Sequence, residues 1–111
     1  MEILFATNKL KKIFNDEHQL KRVYGNLFPK IKLRMNVLRN AANLAAVPTT
    51  PPDRCHPLEA DRIGQYAVDL IHPHRLVFMP SEDPPPRKGD GGIDKEGVLS
   101  ITVIEVVDYH D

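Results

Sequence analysis

The sequence predicts an α+β fold: two amino-terminal helices packed on a mainly antiparallel four-stranded sheet, in the order β-α-α-β-β-β. Three stretches carry that prediction. Residues 98–107, with Ile101, Val103, Ile104, Val106 and Val107, have the β-branched richness of a well-buried strand. Residues 26–46 place Leu27, Ile31, Leu38, Ala42 and Ala45 on one side at helical spacing, with Leu33, Val37 and Leu44 widening the stripe. Residues 65–71 alternate, with Tyr66, Val68 and Leu70 on one side, as a half-buried strand does.

In chain order, residues 2–5 form a short strand, and Thr7 or Asn8 caps a first helix whose stripe is Leu10, Ile13 and Phe14. Residues 18–25 read as a connector. The second helix tolerates Pro29 because a first-turn N–H has no helical partner to lose. Pro48, Pro51 and Pro52 then end it and favour an extended link. His72-Pro73 makes a tight turn between strands at 65–71 and 74–79. The Pro/Gly/charged segment 80–96 is a long loop before the last strand. No internal repeat interrupts this order, and the length fits one domain spanning 1–111.

Composition narrows the function classes. At 41% apolar and 27% charged residues the chain reads as an ordinary globular domain, with no stretch approaching the ~20 apolar residues of a membrane span. Its start lacks a basic segment ahead of the apolar residues, so a secretory signal is not expected and the cytoplasm is. The one cysteine, Cys55, excludes an internal disulfide framework, fits a reducing compartment, and reads as a half-buried thiol rather than a nucleophile. The zero net charge conceals a division. Residues 1–40 hold nine Lys or Arg against three acidic side chains, and the remainder is acidic by the same margin. Such asymmetry points to a face that meets a polyanion, with Lys30, Lys32 and Arg34 as candidate RNA contacts; the alternative is that they solvate amphipathic helices.

Groups capable of proton chemistry collect in two places. The last strand runs into Asp108, Tyr109 and His110, so a rigid element supports them, and His56 precedes the 65–71 strand. His72 and His74 invite a zinc reading with His56 and His110. A His-x-His pattern in a proline turn supplies no closed ligand set, so no metal or other cofactor is expected.

Five segments, in this order and approximate spacing, carry a resemblance: Cys55-His-Pro-Leu-Glu-Ala-Asp-Arg-Ile-Gly64, Gln65-Tyr-Ala-Val-Asp-Leu70, His72-Pro-His-Arg-Leu76, Asp90-Gly-Gly-Ile-Asp94 and Asp108-Tyr-His110. From the second helix onward the chain resembles the RelE/HigB toxins of bacterial type II toxin–antitoxin systems, especially the plasmid maintenance killer branch. The resemblance implies a RelE/ParE-like fold and an endoribonuclease that binds the ribosomal A site and cuts messenger RNA there. It implies no metal, the substrate's own 2′-hydroxyl as nucleophile, and a helix-turn-helix antitoxin (HigA-like) as partner. That chemistry needs a base, an acid and positive charge on the phosphate oxygens, and histidine suits the first two because its ordinary pKa, about 6.5, lies near operating pH. Carried over by position, His56 matches the family's His-Pro-Leu histidine, and Asp108, Tyr109 and His110 match its ending. Arg75 takes the place of an arginine that contacts phosphate, and Arg62 sits where it either binds RNA or holds the loop. Family members commonly have Lys-Gly after His-Pro-Leu, whereas this chain has Glu59-Ala60. A carboxylate there opposes phosphate. Two other functions therefore stand beside ribonuclease: a ParE-like gyrase-binding toxin without catalysis, and a degenerate toxin that only binds its antitoxin.

Overall fold

The computed structural model describes residues 1–109. The strands are β1 (Glu2–Phe5), β2 (His56–Pro57), β3 (Tyr66–Asp69), β4 (His74–Pro80) and β5 (Ser100–Asp108), and the helices are α1 (Asn8–Phe14), α2 (Glu17–Tyr24) and α3 (Phe28–Asn40). The strands form one sheet of order β1-β5-β4-β3-β2 with the helices packed on one face, which is the α+β class expected. β1 runs parallel to β5, and every other pairing is antiparallel.

Local chemistry accounts for the helices. The Thr7 hydroxyl accepts from the Leu10 N–H at 3.1 Å and starts α1, whose Ile13 and Phe14 are buried. α2 replaces the connector expected at 18–25. Its apolar signal is thin, since Leu20 alone is buried, but Asp16 Oδ1 accepts from the N–H groups of His18 (3.0 Å) and Gln19 (3.3 Å). Gly25, at φ +55°, then turns the chain through a left-handed conformation that a side chain would oppose. α3 stops six residues short of the expected Ala46, because the apolar pattern past Asn40 belongs to a separate 3-10 turn, Leu44–Ala46, capped by Asn43. The exposed carbonyls at the end of α3 are not left bare. The Met1 amino group donates to Leu38, Arg39 and Ala41 at 3.3, 2.7 and 2.6 Å, and its charge suits that end of the helix dipole.

The core lies between helices and sheet. Ile31 and Leu38 of α3 meet Leu76 and Phe78 of β4 and Ile101 and Val103 of β5, all fully buried. Burial of each such side chain favours folding by about 1.5–3 kcal/mol. The β3–β4 turn is as tight as expected, with Leu70 N–H donating to the His74 carbonyl at 3.0 Å. β2 is the strand the sequence did not announce: two residues, His56 opposite Ala67 and Pro57 opposite Tyr66, are too few to make a pattern.

Candidate functional site

The sheet face turned away from the helices carries His56, Arg75 and Tyr109, with Arg62 paired to Glu105 there. Because side chains alternate along a strand, the register aligns His56, Ala67, Val77 and Glu105 in one row across four strands. Asp69, Arg75 and Val107 form the next row. A small apolar cluster of Leu58, Ala67 and Val77, with Ile104, Val107 and Tyr109 against it, supports this face. Polar side chains surround the cluster.

Arg75 and Tyr109 are in contact: the guanidinium carbon lies 4.6 Å from the ring centroid. At that distance the negative face of the ring attracts the cation and favours one position for it, while a guanidinium keeps further N–H donors for a ligand. Arg75 Nε also lies 3.6 Å from Asp69 Oδ1, and the Tyr109 N–H donates to the Pro73 carbonyl at 3.0 Å, which anchors the residue past the end of β5. The Tyr109 hydroxyl is buried and has no hydrogen-bond partner among the described residues.

His56 is half-buried, and its Nδ1 lies 2.7 Å from the Arg54 carbonyl. A carbonyl only accepts, so the proton sits on Nδ1, and Nε2 of the neutral ring is left with its lone pair. That tautomer suits a general base.

Other candidates are placed differently. Arg62 bonds Gln65 Oε1 at 2.8 Å and closes an ion pair with Glu105, so its charge is already partly answered. Asp108 stands opposite His74 in the register, its Oδ2 4.0 Å from His74 Nε2, and alternation turns it away from Arg75 and Val107. Asp108 and Tyr109 are therefore on different faces, and His110 lies outside the described residues. Arg34 corrects an expectation: it is buried, with Nε donating to the Asp69 carbonyl at 2.6 Å, Nη2 to the Pro52 carbonyl at 3.3 Å, and Asp53 at 3.6 Å. Held on two carbonyls, it ties α3 to the 52–54 segment and β3 and offers no exposed RNA contact on the helix surface. Lys32 Nζ pairs with Glu17 at 2.6 Å in the helix layer, across the sheet from His56, whereas Lys30 is exposed near the β3–β4 turn.

Sequence reasoning missed Arg54, Asp69 and Glu105. Arg54 Nε and Nη2 hold the Asp69 carboxylate at 2.6 and 3.0 Å, which pushes the Arg54 pKa up. Glu105 had a visible signal, a lone carboxylate within an apolar strand. Cys55 is buried beneath β2, and burial pushes its pKa up to about 11, with Lys95 lowering and Asp53 raising it by smaller amounts. Its thiol is unsuited to attack.

The chain thus combines a mixed five-stranded sheet, helices on one face, and a cation against an aromatic ring at a strand end on the other. Its fold is similar to that of a solved structure, the YoeB/ParE toxin from Agrobacterium tumefaciens, with a TM-score of 0.54 over 99% of this chain and 100% of that one. Sequence identity is 18%, so the likeness concerns the fold. No protein-family model matches the chain, and no curated protein matches it. Among the described residues, no helix is long and apolar enough to cross a membrane.

Proposed function

We propose that this chain is the toxin of a bacterial toxin–antitoxin pair, of the HigB type, and that it cleaves messenger RNA in the ribosomal A site in the cytoplasm. The observation that carries the reading is the shared face: His56, whose Nε2 has no hydrogen bond among the described residues, and Arg75 over the Tyr109 ring. His56 Nε2 takes the proton from a substrate 2′-hydroxyl, whose oxygen bonds to the adjacent phosphorus as the bond from phosphorus to the 5′-oxygen breaks. Arg75 donates to the phosphate oxygens as charge builds on them. The leaving oxygen takes its proton from His110, while Tyr109, whose hydroxyl is buried, supports Arg75. Every atom and proton is accounted for by side chain and substrate, with no metal or cofactor in the scheme. Silencing falls to a helix-turn-helix antitoxin that covers this face or the basic helices.

One observation favours a second reading. Arg62 is neutralised by Glu105, and the exposed Glu59 adds negative charge beside it, so the face is less cationic than RNA would favour. A ParE-like gyrase-binding toxin needs neither His56 nor free cations. Expression without an antitoxin, followed by pulse labelling and primer extension on ribosome-bound message, separates the two. The ribonuclease reading expects translation to stop first, with cuts inside A-site codons. Collapse of DNA synthesis while translation persists would instead favour gyrase.

A further inference from the structure

Where β3 turns into β4, a cavity of about 240 Å³ opens between α3, the 52–54 segment and the turn. It lies beside the candidate site rather than within it, and Arg75 belongs to both. Lys30, Arg34, Arg54 and Arg75 line it with His72 and His74, and Asp69 is the carboxylate among them. Asp53 stands against Arg34 at 3.6 Å and Asp108 lies 4.0 Å from His74 Nε2, so the permanent cations exceed the carboxylates by one. That excess is local, because the chain as a whole is neutral.

The carboxylate does not repel an incoming anion unopposed. Asp69 is held by Arg54 at 2.6 and 3.0 Å, and Arg75 Nε lies 3.6 Å from its Oδ1. Lys30 and His72 form no hydrogen bond or ion pair among the described residues, and both border the opening. The space exceeds several waters at ~30 Å³ each, enough for a hydrated phosphate. Buried Arg34, fixed by two carbonyls, forms a preorganised floor that an exposed lysine patch lacks.

We infer that this cavity is a second phosphate site, taking one backbone phosphate of an RNA strand that also crosses the Arg75–Tyr109 face. Lys30 and His72 donate to it, Arg34 and Arg54 supply fixed charge, and Arg75 links it to the face where cleavage is proposed. The inference rests on the RNA-cleavage reading for the identity of its ligand. Its role is to set where the strand lies, without taking part in bond making.

The test uses the full chain, ¹⁵N-labelled, titrated with a short all-2′-deoxy oligonucleotide, which lacks the nucleophilic hydroxyl. Amide shifts at Asp53, Arg54, His72, His74 and Arg75 should saturate together with those at His56 and Tyr109. Lys30→Glu combined with His72→Glu should weaken binding about tenfold and flatten the slope of log affinity against log salt by about one or more. The milder Lys30→Ala with His72→Ala should do the same in part, and serves if charge reversal disturbs folding. Shifts confined to the His56 face, or unchanged affinity in both double variants, would overturn the second site. Ribosome cleavage separates the two readings. Cleavage with the cavity untouched refutes this site alone, whereas a filled cavity without cleavage refutes the ribonuclease reading and leaves the phosphate site standing.

Discussion

The two faces of the sheet are built to different rules. On the helix side, Ile31, Leu38, Leu76, Phe78, Ile101 and Val103 are wholly excluded from water, and hydrocarbon meets hydrocarbon throughout. On the other side three buried residues, Leu58, Ala67 and Val77, are ringed by Arg62, Glu105, Arg75 and Asp69. Strand alternation lets one sequence do both, because neighbouring residues such as Arg75 and Leu76 never share a surface. Stability is concentrated on one face, which leaves the other able to carry charged groups whose desolvation would weaken a core.

That division makes its sharpest prediction as a double dissociation. His56→Ala and Arg75→Ala should each cut ribosome-dependent cleavage by about 10²–10⁴-fold while leaving urea unfolding close to wild type. Phe78→Ala should cost about 3–5 kcal/mol in the same unfolding experiment. If His56→Ala unfolds the protein, or if Phe78→Ala does not, the faces are not separate in the way their packing implies.

Alkaline pH probes the helix side through Cys55, which belongs to its core. The folded state holds the thiol proton up to about pH 11, whereas an unshifted thiol loses it near 9.0. The unfolded chain therefore sheds that proton first. The stabilisation is full below pH 9 and disappears as the pH rises towards 11, by on the order of 2 kcal/mol. Burial raises Tyr24 and Tyr66 in the same sense, and both belong to or pack on that core. Urea midpoints between pH 8 and 11 should fall for the wild type and fall less for Cys55→Ala. A flat profile would mean that the thiol meets water.

The smallest effect is expected on the open face. Glu59→Lys, at an exposed position, should leave stability within about 0.5 kcal/mol and raise cleavage several-fold by placing a cation near the phosphate path. A lower rate in the cleavage assay would give Glu59 a positive role instead.

How much of this was legible in the sequence depended on whether a residue's partner was near in the chain. The 98–107 strand, the α1 stripe and the His72-Pro73 turn are local patterns, and each appears where expected, the strand shifted to Ser100–Asp108. α2 was missed because one buried leucine makes no stripe, although the Asp16 cap was there to be read. The site was harder. His56 and Arg75 followed from motif position, but their common face comes from a register between β2, β3 and β4 that no local pattern states. Arg34 misled because a lysine and an arginine off an apolar stripe look alike. Only the carbonyls of Pro52 and Asp69, distant in sequence, reveal that one of them is inside.

The parallel pairing of β1 with β5 sets an order of events on the translating ribosome. β5 lies between β1 and β4, so the strand made last of those described is the one that both neighbours need. Until Ser100 to Val103 have cleared the exit tunnel, Glu2 to Phe5 have no partner strand, and the row opposite Val77 waits for Glu105. Contacts spanning almost a whole chain also close slowly. A growing chain therefore completes this sheet only once every other described strand has emerged, and the edge strand made first waits longest for its partner.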